Sequence, residues 1–190
     1  MIMMIEKRID FTMVLAQCFI LLVLSSPVLF AQVSEESPEP EELFDFWVGE
    51  WNVSWDEGDG SKGRGINIVE KTLDGTVIQE NFSITEGQQS GFKGTSISVY
   101  QQRFERWKQA WADNNGGYYD FTGDLDGEKR IFRTEMRELP DGRRLMQRMV
   151  FYDIAEDSLM WDWEASYDGG ETWTLNWRIR YNRITETDGN

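Results

Sequence analysis

From Phe44 onward the chain is cut into short runs of alternating apolar and polar residues, separated by clusters of Gly, Asp and Asn. Alternation with period two puts one set of side chains on one face of a strand, and it recurs about ten times with no clean helical stretch between. The runs are FWVGEWNVSW, RGINIVEKT, TVIQENFSIT, FKGTSISVYQQRF and RWKQAWAD, then GYYDFTG, KRIFRTEMR, RRLMQRMVFYDI, SLMWDWEASY and TWTLNWRIRYNR. The turns LDG (Leu73 to Gly75), DNNGG (Asp113 to Gly117), DLDG (Asp124 to Gly127), PDG (Pro140 to Gly142) and DGG (Asp168 to Gly170) supply residues tolerant of positive φ. A sheet with so many hairpins must close or fold over to hide its apolar face. An all-β, antiparallel, up-and-down barrel of about 8–10 strands is expected, in preference to a sandwich.

The phase of the alternation is clearest at the nine tryptophans, which all read as inward-facing. Leu159, Trp161, Trp163 and Ala165 share one face, and Trp173, Leu175, Trp177, Ile179 and Tyr181 share another. Trp47, Trp51 and Trp55 are spaced by four, which suits a helix face and a strand face alike. Gly49 and the β-branched Val48 and Val53 decide for a strand. Ahead of it, Glu41 to Phe46 fits a single helical turn.

The first thirty-one residues read as a signal peptide. Lys7 and Arg8 lie in the n-region, an apolar segment follows, and Ala31 offers a small residue for cleavage. The apolar core from Val14 to Leu24 is interrupted by Gln17 and Cys18, too short and too polar for a spanning helix. Translation from Met1 or from Met13 is left open. Residues 32–42 form an acidic, proline-containing linker, and residues 43–190 a single barrel domain. The expected location is secreted or periplasmic, with membrane contact only through the signal segment before cleavage. Cys18 is the only cysteine and would be removed, so the mature domain has no disulfide and relies on packing.

There is no histidine. That excludes a Ser-His-Asp triad, His-ligated zinc and His-ligated haem, and leaves carboxylates, Tyr, Lys or water for any acid–base work. No metal or cofactor is expected. A net charge of −15 argues against nucleic acid as a partner. A monomer or dimer is expected.

Within this frame Glu80 stands out, because Ile78, Phe82 and Ile84 place it on an apolar, inward face. Desolvation there raises a carboxyl pKa and suits an acid, a base or a hydrogen-bond anchor, while pairing with an inward arginine such as Arg148 or Arg133 is the structural reading. Gln109, between Trp107 and Trp111, is either a buried strut or a ligand-orienting group. Arg148 lies in a run apolar on both faces, so its phase is open. The candidate ligand-binding residues are Trp47, Trp55, Glu80, Gln109, Trp111, Arg148 and Trp163.

Gly49-Glu50-Trp51 at the start of the first strand resembles the G-x-W signature of lipocalins and their wider calycin relatives. The resemblance implies that Trp51 plugs one end of the barrel and that an arginine of the last strand, from Arg178, Arg180 and Arg183, packs across it. Three ordered motifs resemble more closely a family of uncharacterised, mostly bacterial proteins with a calycin-like domain. They are F-W-x-G-x-W at Phe46 to Trp51, W-x-Q-x-W-x-D at Trp107 to Asp113, and S-x-D-G-G-x-T-W at Ser166 to Trp173. That family implies a fold and no catalytic set. The last motif is also similar to the Asp-box hairpin of sialidase propellers. It occurs once and without period, so it reads as a turn in which the aspartate accepts amide bonds.

Three functions stay open. The first is a barrel that binds a small apolar or amphipathic ligand in an aromatic-lined cavity. The second is a metal-free lyase, isomerase or hydrolase using Glu80, and the third is a surface interaction protein with no cavity.

Overall fold

The computed structural model describes residues 38–185. The signal-peptide reading, with Cys18 and Ala31, and residues 32–37 of the linker lie outside the described residues. Eleven strands follow in chain order: β1 (Gly49–Asp56), β2 (Lys62–Thr72), β3 (Val77–Glu86), β4 (Lys93–Gln101), β5 (Arg106–Asp113), β6 (Tyr118–Asp126), β7 (Lys129–Arg133), β8 (Arg137–Glu138), β9 (Arg144–Tyr152), β10 (Ser158–Ser166) and β11 (Thr174–Arg183). All pairings between strands are antiparallel, and β11 pairs back onto β1. β8 pairs only with the start of β9 and prolongs the line of β7, whose last residue Arg133 lies opposite Arg148. The remaining strands form a closed up-and-down barrel of ten, as the alternation predicts, consistent with the calycin-like barrel that the G-x-W resemblance implies.

Because each strand reverses, the connections sort to two ends. One end is closed by the chain that precedes β1. Two 3-10 turns, Pro40–Glu42 and Asp45–Trp47, stand where a single helical turn is expected. They seat Phe44 against Phe132 (ring centroids 4.1 Å apart) and Trp107 (5.3 Å), while the Trp107 indole donates to the Pro40 carbonyl at 2.7 Å. Trp47 belongs to this plug and packs on Phe151 at 5.1 Å, so the first strand starts at Gly49 and not at Phe46.

Trp51 is fully buried above the plug, donates to the Trp47 carbonyl at 2.9 Å and carries the Arg183 guanidinium 4.1 Å over its ring. Arg183 in turn donates to the carbonyls of Val48 (2.8 Å), Phe46 (3.2 Å) and Glu156 (2.8 Å). One guanidinium thus ties the last strand to the start of the first. Gly49 is required beside it: φ is +146°, and a Cβ there would stand 2.0 Å from Arg183 Nη1.

The inward faces follow the predicted phase over β1, β3, β5 and β10, with Trp51, Val53 and Trp55, then Ile78, Glu80, Phe82 and Ile84, all buried. β11 departs from it. Its register with β10 shifts between Trp163 and Glu164, so Trp163 faces Trp177 but Glu164 faces Leu175. The bulge moves Leu175 and Trp173 off the inward face. Leu175 is exposed, and Trp173 stacks on the outer surface under Arg148, 4.0 Å from ring centroid to guanidinium. Eight tryptophans therefore face the interior or its plug, not nine; an unpaired residue in one strand reverses the phase of everything before it.

Candidate functional site

The half of the barrel away from the plug is not filled. A cavity of about 170 Å³ lies there, walled by Phe82, Phe92, Trp111, Tyr119, Phe121, Met149, Trp161, Trp163, Trp177 and Ile179, with Glu80, Tyr181 and Asp113 as its polar members. Two cross-strand rows build the walls. Glu80, Ser96, Trp111 and Tyr119 are opposite one another across β3 to β6, and Met149, Trp163 and Trp177 across β9 to β11. Trp111 fits because β4 offers glycine behind it: a Cβ on Gly94 would stand 2.0 Å from the indole. Trp163 meets Tyr119 (5.5 Å) and Phe121 (6.0 Å) edge-on, and Trp161 meets Trp177 edge-on at 5.8 Å. Edge-to-face contact suits the ring quadrupoles and fixes the wall. Trp111, Trp161, Trp163 and Trp177 are only half-buried, so the cavity is open to solvent between the β3–β4 loop, which supplies Phe92, and the end of β5, which supplies Asp113.

Glu80 lies among a small buried polar group. Its Oε1 accepts from Asn67 Nδ2 at 2.8 Å and its Oε2 from Ser96 Oγ at 2.7 Å, and all three residues are buried. Asn67 Nδ2 also donates to the Tyr181 hydroxyl at 3.2 Å, which leaves the Tyr181 O–H proton available to another acceptor. Burial raises the Glu80 pKa to about 7, partly opposed by the hydrogen bonds from Ser96 and Asn67. Burial, with the charge of Glu80, pushes Tyr181 well above the ordinary range, so it stays a neutral donor. Asp113 is different. Burial raises its carboxyl, but hydrogen bonds from the Gly117 amide, the Trp111 indole and the Asn115 amide outweigh it and hold the group ionised.

Of the residues singled out in the sequence, Glu80, Trp111 and Trp163 come together on this cavity. Trp55 is a neighbour of the wall, edge-on to Trp177 at 5.0 Å. Gln109 is buried two register positions from that row, donating to Ser98 Oγ at 2.9 Å, with its Oε1 unpaired. Trp47 sits at the opposite, plugged end. Arg148 faces outward: Met149 takes the inward position, and Arg148, stacked on the Trp173 ring, binds Glu164 at 2.6 Å. A second ion pair on this outer face, Arg178 with Asp162 at 2.7 Å, is capped by Tyr152. Among the described residues no arginine therefore reaches Glu80.

Sequence reading missed Asn67, Ser96 and Tyr181, the partners of Glu80. Tyr181 carried a signal, being in phase with Trp177 and Ile179. Asn67 did not, because Ile66 and Ile68 flank it and make the outward face of β2 look like the inward one. The turn motifs have structural work: Asp168 accepts from the amides of Glu171 (2.9 Å) and Thr172 (3.0 Å), and Gly169 and Gly170 take φ of +85° and +95°. Compared with known proteins, the chain matches no family model and no curated protein.

Proposed function

We propose that this chain is an exported carrier or sensor barrel that binds one small, amphipathic molecule in its aromatic cavity. The observation that carries the reading is the cavity itself, an apolar, largely aromatic space with convergent polar groups, Glu80 and Tyr181, on one side. Its volume sets the ligand's size. An apolar cavity of about 150 Å³ accepts one benzene ring, so about 170 Å³ admits a single ring or a short chain and is too small to enclose haem. Export rests on the n-region, apolar segment and Ala31 of the sequence, and calycin-like kinship on its three motifs. The Arg183–Trp51 stack supports the latter.

Native mass spectrometry of the protein from its own host tests both parts. The expected result is a chain beginning at Gln32 that carries a low-mass adduct, and single-ring compounds raising Tm. A chain without adduct that responds to no single-ring or short-chain compound would overturn the binding reading. Detection of residues 1–31 in the mature protein would overturn the export reading.

One observation favours proton-transfer chemistry as a second reading: Glu80 titrates near neutrality with no cationic partner among the described residues. Its titratable neighbour by hydrogen-bonded relay is Tyr181, held neutral, so Glu80 has neither a cation nor a second titrating group beside it to complement it. Binding is the better-supported use of this arrangement.

A further inference from the structure

Resting on that binding reading, we propose that the ligand is a small organic cation: an ammonium group on a single ring or short alkyl body, neutralised by Glu80 and held among the indoles. Two carboxyl groups line the cavity, Glu80 deep among buried residues and Asp113 near the mouth, and among the described residues neither lysine nor arginine does. Glu80 is 4% exposed, and its hydrogen-bond partners are the neutral Asn67 and Ser96. Each carboxylate oxygen has two acceptor sites, so each keeps one for an incoming N–H.

A glutamine at position 80 would satisfy both neighbours as well, accepting from Asn67 and donating to Ser96. What it could not do is cancel a positive charge. Burying a carboxylate in place of an amide is costly in the empty protein, which relieves that cost by holding the proton; a ligand that brings the missing charge stabilises the ionised form instead. An anion is refused by Glu80 and Asp113 together. A purely apolar ligand leaves Glu80 buried without a counter-charge.

The walls favour the same choice. Trp161, Trp163 and Trp177 line one space with Glu80, and indole is the aromatic side chain that attracts cations best. The aromatic cavity wall therefore serves the charged head as well as the apolar body. The net charge of −15 adds attraction from a distance.

Proton linkage follows. The groups facing Glu80 are Asn67 from β2, Ser96 from β4 and Tyr181 from β11, with Tyr119 of β6 and Asp113 of β5 across the cavity. None is positively charged, Tyr181 stays neutral, and Asp113 stays ionised, so Glu80 alone changes charge near neutrality. An ammonium ligand binds the ionised form and expels the proton. Its affinity falls as pH drops through the Glu80 titration, approaching tenfold per pH unit.

The test uses the full-length chain with benzylammonium against benzyl alcohol, and butylammonium against 1-butanol, followed by tryptophan fluorescence. Measurements at about pH 8 and about pH 5.5 bracket the titration. The expected result at the higher pH is ammonium binding at least roughly tenfold tighter than its alcohol. That preference should shrink by about tenfold or more at the lower pH, and Glu80→Gln should abolish it. Alcohols binding as tightly as ammonium ions, or a preference indifferent to pH or to E80Q, would overturn the cation proposal while leaving a ligand-binding barrel. Failure of all four compounds to bind would take down the underlying reading with it. If E80Q fails to fold, the preference and its pH dependence in the unaltered protein decide alone.

Discussion

At the scale of the residue, the unusual feature is Glu80, whose raised pKa has a consequence for stability as well as for binding. A carboxyl with an ordinary pKa near 4.5 when unfolded and about 7 when folded holds its proton more tightly in the fold. Between those two pH values the folded state binds more protons, so stability declines as pH rises through this window and levels off above it. The loss is on the order of 3 kcal/mol for the buried group. Glu80→Gln should flatten this pH dependence and match or exceed the parent at pH above 7; urea midpoints across the window check it. Gly49→Ala works in the other direction. It forces a Cβ into the Arg183 guanidinium at a φ that L-residues rarely adopt. A cost of ~2 kcal/mol is expected, read as a lower urea midpoint with unchanged m-value. The G-x-W spacing thus has a steric cause, and Arg183, one of three arginines the sequence offered, was not separable from Arg178 and Arg180 without the register.

At the scale of the element, the decisive irregularity is the bulge between β10 and β11. Period-two reading carries Tyr181, Ile179 and Trp177 correctly inward, then misplaces Leu175 and Trp173, because one extra residue inverts the phase and no composition marks it. β9 shows the other limit. Met149 and Phe151 face inward, but Val150 is buried as well, against Ile131 on the outer side, so apolarity could not say which way Arg148 points. Glu80 was legible because Ile78, Phe82 and Ile84 around it are apolar while Gln79, Asn81 and Ser83 are not. The bulge gives a paired prediction. Trp173→Ala removes a stacking contact outside the barrel and should cost about 1 kcal/mol, leaving affinity for cavity compounds within roughly twofold. Trp163→Ala removes a wall of the cavity and should weaken single-ring compounds several-fold while admitting larger ones. Fluorescence titration with a graded series of ring sizes separates the two.

At the scale of the whole molecule, closure is local except at a single seam. Every pairing between barrel strands joins neighbours along the chain, β8 aside, apart from β1 with β11, where Asn52 faces Asn182 and Val53 faces Tyr181. The number and order of strands could be read from the turns, since hairpins dictate which strand meets which; that the ends join had to be inferred from the need to hide two edges. A chain cut before Thr174 loses β11 and exposes the edges of β1 and β10. It should lose cooperative unfolding and self-associate, which thermal melts and light scattering would record. The seam also brings the end of the last strand to the entry of the first, since Arg183 grips the carbonyls of Phe46 and Val48 at the plugged end. In strand order the molecule is therefore a cycle that the polypeptide happens to interrupt at one point. A linker long enough to cross the plugged end from Thr185 to Pro38, with new termini in the β2–β3 turn at Asp74, would give a circular permutant with the same ring of neighbours and an untouched mouth.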